Sequence, residues 1–293
     1  MGIETIAVTG GNGKIGRAII TDLNDHGYRT VDLARGKRRE EHSDVYLTTD
    51  LTNPGEVYGS LAKSDADAII HMGTIPSPTS HPGYVTFESN VMSTYHVLEA
   101  ATELGLEAAC IASSINAMGV AFQDEPSEIA YLPVDEDHPL TPRDPYAIGK
   151  HALEVVCDGF GRMADAPESI ASLRYPWVAS GEEIASRYAE DDRTVDAVDP
   201  AGSGRDHLFS YLHVADAASI ARLSIEAEFS GHEVFWAVAG DTTLETDTAT
   251  VADRIYPELD QRRPFEGRES LISIEKARSQ LGWEPTRSWT DDQ

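Results

Sequence analysis

Residues 9–16 read TGGNGKIG, and these eight positions decide the fold. An apolar run, IETIAVTG, leads into them, and the helix-like stretch KIGRAIITDLNDHG follows at once. Gly10, Gly13 and Gly16 give the spacing G-x-x-G-x-x-G. Glycine permits a tight turn after a strand and lets the backbone come close to a pyrophosphate. The first N–H groups of the following helix, and its positive dipole end, then face the phosphates. A glycine pattern alone is a weak signal; a strand before it and a helix after it give it meaning. The stretch predicts a dinucleotide-binding turn formed by Gly10, Gly13, Lys14, Ile15 and Gly16.

Working outward, YRTVDLA, DVYLTTDL, ADAIIHMG and AACIASS are further apolar runs, with FESNVMSTYHVLEAATELG as a helical stretch before the last. Strands alternating with helices predict right-handed βαβ units and a parallel sheet. The expected fold is α/β, a Rossmann-type doubly wound sheet with a small mixed C-terminal substrate-binding region. Residues 1–176 are expected to form the nucleotide-binding core. Residues 177–293 are expected to be mainly substrate-binding, with one or more segments returning to the core, among them the helix HVADAASIARLSIEAE and the strand HEVFWAVAG. A helix is expected from Pro145 to about Met163, followed by the strand ESIASLRYPWV.

The second strand bears on the cofactor. Counting about eighteen residues past Gly16 reaches Ala34, with Arg35 next and Lys37, Arg38 and Arg39 following. A small residue followed by arginine suits the 2′-phosphate of NADP. The alternative is NAD: a strand shorter by two residues would set Asp32 on the ribose hydroxyls. Asp50 and Leu51, in TTDLT, are expected beside the adenine.

The net charge of −27 is spread along the chain and does not form a tail. Such a surface repels nucleic acid and anionic membranes. Lysine is rare, and arginine carries most of the positive charge. This composition resembles the acidic, lysine-poor proteins of salt-loving microbes; an acidic mesophilic protein is the alternative. No basic-then-apolar leader and no run of eighteen apolar residues occurs, so a soluble, cytoplasmic protein without membrane contact is expected. Cys110 and Cys157 are the only cysteines, and Cys110 lies in an apolar run, which points to a buried thiol and not a disulfide. No histidine repeats at H-x-x-x-H spacing, so no metal site is expected.

The stretch PRDPYAIGK, residues 142–150, sets Tyr146 and Lys150 at i and i+4 of a helix starting at Pro145. An ammonium beside a phenol favours the phenolate and would lower its pKa into a useful range. The spacing alone is equally that of two exposed neighbours on a helix.

Several motifs in order resemble the extended short-chain dehydrogenase/reductase family, which includes NAD-dependent epimerases and dehydratases. TGGNGKIG resembles its glycine motif, HMGT (with Met72 and Gly73) its fourth-strand end, and SNVMSTYHVLEAA its Asn-containing helix. IASSINAMG is similar to its serine-bearing strand, YAIGK to its Y-x-x-x-K pair, FSYLHVADAA to a late motif, and ARSQLGWEP to its C-terminal signature. The resemblance implies that Tyr146 is the general base or acid and that Lys150 lowers its pKa and holds the nicotinamide ribose. Ser114, matched by counting back from Gly119, would hydrogen-bond the reacting oxygen, while Ser113 faces the other way. Asn90 would support the site through backbone or water, or be structural. Gly149 departs from the serine common before the lysine.

The segment LRYPWVASGEE lacks the N-x-Y-G-P-like stretch usual in nucleotide-sugar members, and the chain is shorter than most of them. In style it is closer to the family's sugar and uronate dehydrogenases. The expected activity is NADP-dependent oxidation of a free pentose or hexose at C1, with arabinose-like sugars plausible. The alternatives are a nucleotide-sugar 4-epimerase or dehydratase with tightly bound NAD, a uronate dehydrogenase, or a non-catalytic cofactor sensor. Pro76, Ser77, Ser114, Asn116, Trp177, Arg187 and Arg205 are the candidate substrate contacts. Of these, Trp177 is equally a core candidate, Arg187 a candidate partner of nearby acids, and Asn116 a candidate strand-end cap. His71, His213 and Asp216 are assigned to the fold and not to chemistry. The family's habit of dimerising through the tyrosine-bearing helix, with apolar Ile148, Leu153, Val156 and Phe160 wrapping more than one face here, implies a homodimer.

Overall fold

Thr5–Thr9 forms strand β1, and every residue of it is buried. In the computed structural model, which describes residues 2–38, 41–120, 122, 128–188, 192–199 and 202–290, the elements follow in the expected alternation. Helix α1 (Lys14–Asp25), β2 (Arg29–Ala34), β3 (Val45–Thr48), α2 (Pro54–Ser64) and β4 (Ala68–His71) come first. Next are α3 (Gly83–Leu104), β5 (Ala108–Ser114), a 3₁₀ turn (Ile115–Met118), β6 (Tyr131–Leu132), α4 (Pro145–Phe160) and β7 (Ser169–Tyr175). The remainder holds β8 (Val178–Ala179), α5 (Gly181–Tyr188), α6 (Ser203–Asp206), β9 (Leu212–His213), α7 (Val214–Glu226), β10 (Gly231–Trp236), α8 (Thr248–Ile255), β11 (Asp260–Gln261) and α9 (Glu275–Leu281).

The main sheet has seven strands in the order β10-β7-β5-β4-β1-β2-β3, all paired parallel. Because side chains alternate along a strand, β1 serves both faces: Ile6 and Val8 join the cluster containing Ile19, Ile20 and Ile220, while Ala7 joins that of Val57, Val97 and Leu153. The strands therefore read as continuous apolar runs, as expected of a sheet covered on both sides. Helices α1 and α7 cover one face, and α2, α3 and α4 the other. Beyond residue 177 the chain supplies β10, which extends the sheet beside β7, and also the small pairs β8–β9 and β6–β11.

Helix α2 is not announced by the alternation of apolar runs, yet its start is written locally. Asn53 accepts hydrogen bonds from the Gly55 and Glu56 N–H groups, and Pro54 occupies the first turn. Helix α4 stops at Phe160, three residues short of expectation. At Gly161 the chain passes so close to His232 that a Cβ would lie 2.6 Å from its backbone nitrogen. Both cysteines are free and buried, as the sequence suggested.

The chain order reverses between β1 and β4, so the loops after these two strands diverge and leave a crevice at their C-terminal ends. Gly10 takes φ +74° there, and a Cβ on it would lie 3.0 Å from the Gly73 backbone. Gly16 has still less room: a Cβ would meet the Gly10 carbonyl oxygen at 2.3 Å, which is why helix α1 starts so close beneath the turn.

Candidate active site

A cavity of about 600 Å³ opens from this crevice. Gly10, Gly13, Lys14, Ile15 and Gly16 line one end of it, Met72 and Thr74 follow, and Ser114, Tyr146 and Lys150 lie beyond them. Asn116, Phe122, Trp177 and His207 complete the far end. The topology therefore brings the glycine loop and the Ser/Tyr/Lys residues to one space.

Helix α4 presents Tyr146 and Lys150 as the i, i+4 spacing requires. Its start is fixed by Asp144, whose carboxylate accepts from the Tyr146 and Ala147 N–H groups at 2.9 and 3.0 Å. Tyr146 is 6% exposed, with the Ser114 hydroxyl near enough to favour its charged form. Lys150 is 2% exposed; its Nζ donates to the Ala112 carbonyl at 2.6 Å and to Thr74 Oγ1 at 3.3 Å, and lies 5.7 Å from the Tyr146 ring centre. Burial pushes Tyr146 up to about 12, with Ser114 pulling the other way. Burial also brings Lys150 down to about 7, opposed by the Glu154 carboxylate. The expectation that Lys150 lowers the Tyr146 pKa is corrected in this enclosed space: burial sets the shift upward, and Ser114 is the group that opposes it.

The two serines at the end of β5 separate as strand alternation demands. Ser113 donates to Glu154 Oε1 at 2.5 Å, whereas Ser114 Oγ accepts from the Asn116 N–H at 3.1 Å and lies 3.4 Å from the Tyr175 carbonyl. Behind Lys150, Arg174 Nε and Nη2 donate to the two oxygens of Glu154 at 2.9 and 2.8 Å, both residues being buried. Asn90 is fully buried and clasps the loop after β4, donating to the Ile75 carbonyl and accepting from its N–H. It positions backbone that lines the cavity.

At the cofactor end, Ala34 closes β2, and Arg35 is exposed beside it. Asp32 lies fully buried beneath the glycine loop, accepting from the Gly11 N–H at 3.1 Å. Leu51 packs against Gly73, leaving no space for a Cβ there, and Asp50 is held by the Thr52 N–H and hydroxyl. Lys14 reaches across the cleft to Glu183 of α5 at 2.6 Å. Arg38 donates to Ser43, and Arg39 lies outside the described residues.

Among the expected substrate contacts, Pro76, Ser114, Asn116 and Trp177 line the cavity. Three do not. Ser77 pairs with Thr79 at 2.7 Å, Arg187 stacks 4.5 Å over Trp177 from outside, and Arg205 lies over Tyr256. Thr74, Phe122, Tyr175 and His207 also line it, and sequence reasoning missed them. No local spacing marks them, since each comes from a different loop or strand end.

The remaining assignments to the fold hold. His213 caps α7 through the Ala215 N–H, and Asp216 accepts from Thr286 and Arg287. His71 is fully buried between Thr9 at 2.8 Å and Ser93 at 3.3 Å. Burial pushes it from 6.5 down to about 3, so the folded state holds a neutral ring that the unfolded chain protonates near 6.5. Its contribution to stability is complete above that unfolded value and is lost as pH falls towards 3, with a slope of up to roughly 1.4 kcal/mol per pH unit. Between pH 7 and 5 the thermal midpoint of His71→Gln should therefore fall less than that of wild type; equal slopes would contradict this origin.

A parallel sheet with this strand order, a glycine turn at its switch point and a Ser/Tyr/Lys cluster facing it define a nucleotide-binding enzyme of the extended short-chain dehydrogenase/reductase type. The chain belongs to the NAD dependent epimerase/dehydratase family, whose model matches residues 6–236. A UDP-glucose 4-epimerase of Rhizobium leguminosarum bv. trifolii is 25% identical, over 96% of this chain and 93% of that protein. Among solved structures, a short-chain dehydrogenase/reductase superfamily protein from Agrobacterium tumefaciens with bound NAD superposes with TM-score 0.71 at 20% identity, covering 98% and 94% of the two chains. A mutated uronate dehydrogenase does so with TM-score 0.67 at 19%, covering 98% and 83%. At that identity the likeness is one of fold. No helix among the described residues is long and apolar enough to cross a membrane.

Proposed function

We propose that the protein is an NADP-dependent dehydrogenase that oxidises a neutral free aldose, a pentose or hexose, at C1 to its lactone. The observation that carries this reading is the chemistry of the cavity's far end. Ser114, Asn116, Phe122, Tyr146, Trp177 and His207 offer aromatic faces and uncharged hydrogen-bonding groups, which suit the C–H faces and hydroxyls of a sugar. A nucleotide diphosphate or a uronate carboxylate calls for an arginine or lysine clamp. Among the described lining residues the only such cations are Lys14, paired with Glu183, and Lys150, turned to the Ala112 carbonyl.

In this reading the Tyr146 phenolate takes the proton of the C1 hydroxyl while Ser114 donates a hydrogen bond to the same oxygen. Lys150 holds the ribose and favours the charged phenol oxygen. A nicotinamide held here would supply the hydride acceptor for C1 and a positive charge that would lower the phenol's pKa. As C1 loses hydride, the C1–O bond becomes the lactone carbonyl. Gly10, Gly13, Lys14, Ile15, Gly16, Met72, Gly73 and Asn90 form or support the rest of the cofactor cradle, with Ala34, Arg35, Asp50 and Leu51 at its adenosine end.

NADP is favoured because Asp32 is committed beneath the glycine loop, leaving Ala34 and the exposed Arg35 at the ribose position. Arg35→Asp should lower kcat/KM with NADP by roughly 10- to 100-fold, the worth of a charge-assisted contact, and leave NAD turnover intact. Unchanged NADP kinetics would remove Arg35 from the site.

The second reading is a nucleotide-sugar 4-epimerase with retained NAD, favoured by the similarity to UDP-glucose 4-epimerases. Purified protein in concentrated KCl, given NADP or NAD with neutral aldoses, uronates and UDP-glucose, separates the two. Cofactor reduction with a neutral aldose supports the dehydrogenase; UDP-galactose formation without net reduction supports the epimerase.

The acidic, lysine-poor surface goes with a cytoplasmic enzyme working at high salt. A second copy of the chain covering α3 and α4 accounts for Tyr84, Met92 and Tyr95 on one helix and Ile148 and Val155 on the other being left exposed. Light scattering should return twice the 31.9 kDa chain mass; a monomer would refute the dimer.

A further inference from the structure

His207 stands at the far end of the cavity, and neither of its ring nitrogens has a hydrogen-bond partner among the described residues. The backbone that presents it is unusual. Leu208 and Phe209, directly after it, both take left-handed φ values, 54° and 50°. Side chains with a Cβ resist that region, and two such residues in succession persist only where the surroundings enforce them.

Here they do. Leu208 and Phe209 are buried in the main core, and Phe209 N–H donates to the Gly204 carbonyl at 2.9 Å. The Phe209 ring fills the space above Gly204, where a Cβ would lie 2.9 Å from it. Ser210 donates to the His207 carbonyl from both its N–H, at 3.0 Å, and its hydroxyl, at 2.6 Å. Tyr256 Oη donates to the Arg205 carbonyl at 2.6 Å. An enforced turn thus delivers one imidazole, with both nitrogens unpartnered among the described residues, to the cavity that holds Ser114 and Tyr146. Burial keeps that ring below its ordinary pKa, with Asp206 opposing and Arg187 adding to the depression. A neutral ring offers one donor and one acceptor, the pair a sugar hydroxyl complements.

We infer that His207 is a specificity-determining residue that hydrogen-bonds a hydroxyl of the sugar away from the reacting carbon. This rests on the reading of the cavity as a sugar site. The pairing of one half-buried ring with one hydroxyl predicts discrimination against the sugar lacking it.

The test compares wild type, His207→Gln and His207→Ala on the best aldose and its monodeoxy analogues. Cofactor affinity and thermal midpoint serve as controls for folding. The expected result is a 10- to 100-fold loss of kcat/KM in His207→Ala, carried mainly by KM, with partial rescue in His207→Gln. One deoxy sugar that wild type rejects should be handled by His207→Ala as well as the parent sugar. Unchanged discrimination among the deoxy sugars in a folded variant overturns the inference. If wild type oxidises no aldose but converts UDP-glucose to UDP-galactose, the dehydrogenase reading falls while this one is decided by the same loss on UDP-glucose. If no sugar is turned over and none shifts the His207 ring resonances in NMR spectra of the cofactor complex, the inference is overturned too.

Discussion

Tyr146→Phe should reduce turnover by roughly 10²- to 10⁴-fold, the range for losing a positioned acid–base group, while leaving cofactor affinity within a factor of two or three. The replacement removes one oxygen from a ring that is 6% exposed, so packing against Phe122 and the helix is kept. Lys150 keeps both of its hydrogen bonds, to Ala112 and Thr74, because neither involves the phenol. The loss should fall on kcat, since the phenolate acts on the proton in flight. In wild type the oxidation rate should rise with pH up to the neutral range, because burial holds the phenol towards about 12 and only the deprotonated form is a base. It should level off once Lys150 loses its proton at about 7. Stopped-flow cofactor reduction at several pH values checks both statements. A variant that keeps its turnover, or a wild-type rate falling with pH across the neutral range, would show that another group takes the proton.

The second large effect lies one layer behind the site. Glu154→Ala should cost roughly 3–5 kcal/mol of stability, because it leaves the Arg174 guanidinium charged and unpaired in a buried position. Glu154 and Arg174 are 4% and 3% exposed and are joined by two hydrogen bonds, with Ser113 as a third donor to the same carboxylate. Arg174 also lies over the Trp236 ring at 4.9 Å, so the pair fastens α4 to β7 and β10 together. For a chain of this size the thermal midpoint should drop by on the order of 10 °C. The same carboxylate opposes the burial that depresses Lys150. Without it the lysine loses its proton at still lower pH, so the activity loss should widen as pH rises. Calorimetry and a pH–rate profile measure the two parts separately. A drop under 1 kcal/mol would mean that the guanidinium finds another partner or water.

Legibility followed the range of the interactions. The glycine turn was readable as a local spacing, a strand end followed by a helix start. The tyrosine–lysine spacing gave only proximity on one turn of helix and took its role from the ordered motifs of the resemblance. Ser114 was picked out by the resemblance, counting back from Gly119; strand alternation only separates it from Ser113, which turns to Glu154. Helix α2 carried its Asn-Pro start in plain view but too weak an apolar pattern to stand out among the stronger runs. The acidity of Tyr146 was misjudged because i, i+4 spacing gives proximity and says nothing of burial. Arg187 and Arg205 were among the expected substrate contacts, whereas their guanidiniums lie over Trp177 and Tyr256 and do not line the cavity. His207 was invisible in the same stretch that suggested Arg205. Its importance comes from a backbone turn that only the packing of Leu208 and Phe209 enforces.

The most direct measurement of the central claim follows the hydrogen itself. An aldose deuterated at C1 is supplied with NADP, and the reduced cofactor is examined by mass spectrometry. Oxidation at C1 predicts one deuterium in the nicotinamide of NADPH and a slower rate than with the protiated sugar. Unlabelled or absent NADPH, with UDP-glucose converted to UDP-galactose on retained NAD, would contradict it.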